Sequence, residues 1–172
     1  MKRIGYFAVA MLAAVPLLGS GVFASGKSKA SSRSPLDQLI PLVGEWEGTS
    51  GSGDSVKLTY TLVSGGSALM ERMQPSKEEE MITMYTVEGD RLRVTHYCSM
   101  GNQPEMETAA ISGKPNKFTF ELTTVKGLKT PDEGHMTGLV LTMVDKDHLT
   151  QEWTFIENGK KESNVFKYTR KS

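Results

Sequence analysis

From Trp46 onward, apolar residues recur at every second position, in runs of strand length separated by turn-forming residues. Val56, Leu58, Tyr60 and Leu62 alternate with Lys57, Thr59 and Thr61, the pattern of a strand with one buried face. Gly65-Gly66 turns the chain into a second run, 68–73. Runs at 81–87 and 91–98 follow, joined by the tight turn Glu88-Gly89-Asp90. The series continues at 106–111, 118–122, 135–144, 149–156 and 163–169. Its breaks contain Gly, Pro, Asn and Asp, and Asn158-Gly159 sits between Trp153/Phe155 and Phe166/Tyr168 as a hairpin signal.

Nine or ten strands are thus predicted, joined mostly by short connections, with no helix long enough for a parallel crossover. Closing such a meander on itself removes its exposed edges. The expected fold is all-β: an antiparallel up-and-down barrel of about 9–10 strands. A two-sheet sandwich is the alternative, and it calls for longer crossings. Ahead of the first strand, Leu36, Leu39 and Ile40 fall at helical spacing, and Pro41 limits this to a short N-terminal helix.

The N-terminus changes the picture from fold to location. Lys2 and Arg3 precede an apolar run from Ile4 to Leu18, and Val22-Phe23-Ala24 places small residues for cleavage. We expect a signal peptide at 1–24 with cleavage after Ala24, a polar flexible linker at 25–34, and a single domain at 35–172. The expected location is the periplasm or the exterior, with no membrane span in the mature chain. Of 20 basic residues, Lys2 and Arg3 lie in the leader, so 18 face 20 acidic ones and the mature net charge is −2. With no basic stripe, nucleic acid is not expected as a partner. The single cysteine, Cys98, has no internal partner for a disulfide.

Alternation also assigns faces. In 91–98 the outward arginines 91 and 93 leave Leu92, Val94, His96 and Cys98 pointing inward. Tyr60 shares the inner face with Leu58, and Phe120 with Phe118. Gln151 and Trp153 lie on one face with Leu149 and Phe155, so Gln151 needs a hydrogen-bonding partner among apolar neighbours. Either Glu71 or Arg72 points in, and Glu71 is preferred. Such an interior is either a packed core with paired polar groups or a cavity with a few placed ones. The cavity reading assigns Trp46, Tyr60, Phe120 and Trp153 to the lining. His96, Gln151 and Glu71 would orient a small, largely apolar ligand, with Cys98 beside them.

Residues 42–48, LVGEWEG, follow the short helix and open the first strand. This Gly44-x-Trp46 resembles the start of lipocalins and wider calycin-like barrels, including nitrobindin-type haem-binding barrels. In those families the tryptophan closes one end of the barrel under a basic side chain from the last strand, a place Arg170 could fill. The segment 42–169, with SGGSALMER, EGDRLRVTHYC and GNQP, is similar to uncharacterised bacterial exported barrels of this type. The resemblance implies a fold and brings no function with it. The lipocalin Thr-Asp-Tyr motif is absent, and the last strand, ESNVFKYTR, has no histidine where nitrobindin-like barrels carry their haem ligand. No cofactor is assigned.

His96, Cys98 and Met100 are spaced to share a face, and their donor atoms suit copper. A blue-copper site would require a second histidine, so no metal is assigned. No nucleophile elbow and no Ser-His-Asp, Walker or zinc-hydrolase motif is present. Gly101-Asn102-Gln103-Pro104 reads as a loop, with Pro104 starting the next strand and the two amides near a barrel mouth. The reading is a binding protein. The alternatives are a small exported enzyme using His96 as acid or base, and a structural barrel with a packed core.

Overall fold

The computed structural model describes residues 34–172. The expected signal peptide, and the linker apart from Ser34, lie outside the described residues. Ten strands run in chain order: β1 (Gly44–Thr49), β2 (Ser55–Val63), β3 (Ala68–Pro75), β4 (Met81–Glu88), β5 (Arg91–Tyr97), β6 (Gln103–Glu107), β7 (Lys117–Lys126), β8 (His135–Met143), β9 (His148–Glu157) and β10 (Lys160–Arg170). Each pairs antiparallel with the next, and β1 closes the sheet on β10 through Trp46↔Arg170 to Thr49↔Lys167. The fold is therefore a closed, antiparallel up-and-down barrel of ten strands. At the closing seam β10 passes so near Gly48 that a Cβ there would meet the Lys167 carbonyl at 2.1 Å, so only glycine fits.

The short helix is two successive 3-10 turns, Pro35–Gln38 and Ile40–Leu42. Ser34 caps the first, its hydroxyl accepting from the Leu36 N–H while Asp37 accepts from the Ser34 N–H. At three residues per turn the buried column is Leu36, Leu39 and Leu42, and Ile40 faces solvent. An α-helical spacing would have placed Ile40 inside; Pro41 and the tighter winding move that role to Leu42.

These leucines stop the end of the barrel where β1 begins. Trp46 is buried there, its indole N–H donating to the Leu42 carbonyl at 2.8 Å. The Arg170 guanidinium lies over the Trp46 ring, 4.1 Å from its centre, and donates to the carbonyls of Pro41, Val43 and Lys146. One side chain thus ties the last strand to the plug. Replacing Arg170 with Met is expected to cost about 2 kcal/mol, from the cation–π contact and the carbonyls left to water. Chemical denaturation would measure it, and a loss below about 0.5 kcal/mol would mean that the plug is held by its leucines alone.

The largest departure from expectation is β6, anticipated at 106–111 and found at Gln103–Glu107. Its ladder with β5 stops because the Thr108 hydroxyl, in place of a backbone carbonyl, takes the Leu92 N–H at 3.1 Å. The Thr108 carbonyl is taken by Arg91. The loop before β6 is correspondingly shorter: Gln103 and Pro104 belong to the strand, and Asn102 is buried with its amide on the Gly134 carbonyl. On the outer wall Arg93 reaches Glu88 and Glu105, and Lys126 reaches Glu105. Such exposed pairs add little stability.

Candidate functional site

Register places four inward polar residues side by side on neighbouring strands. Tyr60 on β2 faces Glu71 on β3, Glu71 faces Thr83 on β4, and Thr83 faces His96 on β5. The row arises because each residue sits on the buried phase of its own two-residue period. Gln151 reaches it from β9 on another part of the wall. Its Nε2 donates to the Tyr60 hydroxyl at 2.8 Å and to Glu71 Oε2 at 2.7 Å. Tyr85 O–H also donates to Glu71 Oε2, at 2.7 Å. Tyr85 in turn packs its ring on the edge of Phe120.

Hydrogen-bond direction in this network is fixed at one end. The Trp153 indole can only donate, and it lies 3.2 Å from the Gln151 oxygen. That sets the amide orientation, so the Gln151 nitrogen must point at Glu71. The Tyr168 hydroxyl adds a longer bond to the same oxygen, at 3.5 Å. Burial, the largest influence, raises the Glu71 pKa, while hydrogen bonds from Tyr60, Tyr85, Gln151 and Thr83 oppose it. Burial also holds the Tyr60 and Tyr85 hydroxyls well above their ordinary pKa, so both stay donors. Glu71 Oε1 has no hydrogen-bond partner.

Beyond this layer the barrel is open. A cavity of about 510 Å³ is walled by Met73, Met81, Met136, Trp153, Phe155 and Phe166, with His96 and Cys98 on the β5 side. Its rim comprises Ser52, Glu78, Ser99, Met100 and Glu162 to Asn164. Gly134 makes room for Phe155, whose ring tip would lie 2.4 Å from any Cβ at that position. No lysine or arginine lines the cavity among the described residues. Glu162, at the rim, pairs with the exposed Lys160.

His96 connects the two regions. Only 2% of its surface is exposed; its ring packs on Trp153 with centres 4.7 Å apart, and Nδ1 lies 2.9 Å from the Thr83 hydroxyl. Nε2 has no partner. Burial pushes the pKa down to about 4, so the ring is neutral at ordinary pH. A buried polar atom left bare in this way costs roughly 1–3 kcal/mol, which a ligand able to pair with it would recover.

The structure thus distributes the residues singled out from sequence over three levels. His96, Cys98 and Trp153 line the cavity. Tyr60, Glu71 and Gln151 form the polar layer beneath it, with Glu71 and Gln151 fully buried. Phe120 packs beneath Tyr85, and Trp46 belongs to the plug at the far end, so neither touches the cavity. Cavity and packed core coexist, one at each end of the barrel.

Sequence reasoning left out Thr83, Met73, Met81, Met136 and Phe166. The first could have been found by extending the alternation of Met81 and Tyr85, which share its face. No group of three or more His, Cys, Asp or Glu is arranged to hold a metal among the described residues, and no helix there is long and apolar enough to cross a membrane.

No protein-family model matches the chain, and no curated protein does. Solved structures share its architecture. Rv2717c from M. tuberculosis matches with a TM-score of 0.59 and 16% identity, over 80% of this chain and 98% of that one. A protein of unknown function of the DUF3598 family from Nostoc punctiforme PCC 73102 matches with a TM-score of 0.53 and 14% identity. That match covers 77% of this chain and 49% of the other. At such identities the likeness is one of fold.

Proposed function

We propose that the chain is an exported barrel, on a nitrobindin-type scaffold, that binds a small, largely apolar molecule in its open end. The carrying observation is the cavity of about 510 Å³, walled by methionine and aromatic side chains, with its polar residues other than His96 at the rim. That size and lining are usual for small-molecule sites, and methionines let such a wall adapt to its guest. Periplasmic or secreted location rests on the leader-like residues 1–24. The enzymatic alternative draws no support from His96, which burial keeps neutral down to about pH 4 and makes a weak base.

Mass spectrometry of protein recovered from the exported fraction tests both parts. The denatured chain should begin at Ser25, and the native ion should be heavier by a ligand that denaturation releases. Added octan-1-ol should raise the melting temperature of emptied protein by mass action. Met81→Trp, which fills the cavity, should remove that rise. A native ion without ligand, together with a melting temperature indifferent to octanol, would leave the barrel a structural module.

A further inference from the structure

His96, which lines the cavity, has a buried ring nitrogen without a partner, and the surrounding hydrogen bonds bear on whether it carries a proton. The direction set by Trp153 passes through Gln151 to Glu71, whose carboxyl receives N–H and O–H donors. Glu71 Oε2 is thereby held as an acceptor. Glu71 Oε1 has no hydrogen-bond partner, and Thr83 is the register neighbour of Glu71 directly across on β4. A hydroxyl has one proton to give. Given to Glu71, it leaves the Thr83 oxygen to accept from His96 Nδ1–H, 2.9 Å away. The neutral imidazole has only that proton, so Nε2 bears a bare lone pair.

Resting on the cavity reading above, we infer that the ligand is an uncharged or cationic apolar molecule whose buried end carries an N–H or O–H donor, and that this donor docks on His96 Nε2. The charge inventory points the same way. Glu78 stands at the rim, where Glu162 is paired with Lys160, and no lysine or arginine is in the wall among the described residues. An anionic head such as a fatty-acid carboxylate would meet a lone pair and further negative charge. An alcohol, a phenol, an indole or an amine would meet an acceptor. The apolar wall of Met73, Met81, Phe155 and Phe166 accommodates the remainder of the molecule.

Two measurements on protein made from the full chain test this. In long-range proton–nitrogen NMR correlation at neutral pH, His96 should show a protonated Nδ1 and a bare Nε2. A proton on Nε2 would overturn the inference directly. In calorimetry with three probes of matched eight-carbon chain, octan-1-ol should bind about tenfold more tightly than octyl methyl ether, which caps the hydroxyl and lacks the donor, and than octanoate. His96→Phe should bring the alcohol down to the ether. Octanoate binding as well as octanol, or a gap between alcohol and ether that survives His96→Phe, would overturn the donor requirement while leaving the cavity reading intact. Failure of all three probes, the ether included, would overturn both. Should His96→Phe not fold, Thr83→Val serves in its place: it frees Nδ1 from the relay and should shrink the same gap.

Discussion

Replacing Gln151 with Leu should lower the free energy of unfolding by roughly 3–5 kcal/mol, the sum over several buried polar groups left without a partner at about 1–3 kcal/mol each. The leucine fills most of the space, so the loss is electrostatic rather than a cavity effect. Glu71 Oε2 would lose one of its two geometric donors, Tyr60 its bond to the amide, and the Trp153 indole N–H its only acceptor. All these groups are buried, and water cannot replace what is removed. Denaturant titration reads the change directly. The double variant Glu71→Leu, Gln151→Leu should lose less than the sum of the two single variants, because the carboxyl and its partner leave together. A single-variant loss below about 1 kcal/mol would show that solvent reaches this layer.

The second large effect is on acid stability. His96 is neutral in the folded barrel down to about pH 4, whereas unfolded it titrates near 6.5. Between these values the unfolded chain binds the additional proton, so stability rises with pH across the window and falls as the solution is acidified. Above about 6.5 both states are neutral and the contribution is flat; below about 4 both are charged and the loss is complete. The difference corresponds to roughly 3 kcal/mol. Thr83 on β4 and Trp153 on β9 face the ring, and neither titrates in this range. Glu71, one place further along the same row, has a raised pKa and acts with the opposite sign. Subtracting the pH profile of His96→Phe from that of the parent protein removes the Glu71 contribution. A difference curve that is flat between pH 4 and 6.5 would mean that the imidazole is hydrated in the folded state.

Alternation was a sufficient guide to which side of the wall each residue occupies, because that property depends only on neighbours along one strand. Glu71 pointing in and Arg72 pointing out follow from it once the burial of Leu69 and Met73 is taken with them. Height along the barrel axis is a different matter, since it depends on how far each strand is staggered against the next. Trp46 was therefore grouped with the ligand-lining aromatics although its Gly-x-Trp setting already resembled a barrel plug. Contacts across the interior were equally hidden: Gln151 meets Tyr60 from 91 positions away and Glu71 from 80. Thr83 escaped notice because threonine suits either face of a strand, and only its placement between Glu71 and His96 gives it a role. The misplaced end of β6 had a local cause that no period reveals, a side-chain hydroxyl standing in for a backbone carbonyl.

The two tryptophans of the chain lie at opposite ends of the barrel. Trp46 is paired with Arg170 on β10 and Trp153 with Asn164, six residues earlier on the same strand, or about 20 Å along it. One indole is clamped beneath a guanidinium; the other packs at a tilt against a neutral imidazole at the cavity wall. The molecule consequently carries two built-in fluorophores with separate surroundings. Emission from Trp153 follows the occupancy of the mouth and the protonation of His96, while emission from Trp46 follows the integrity of the plug. Substituting either one with Phe leaves a single optical channel for the other, so the opening of each end can be timed independently without attaching a dye.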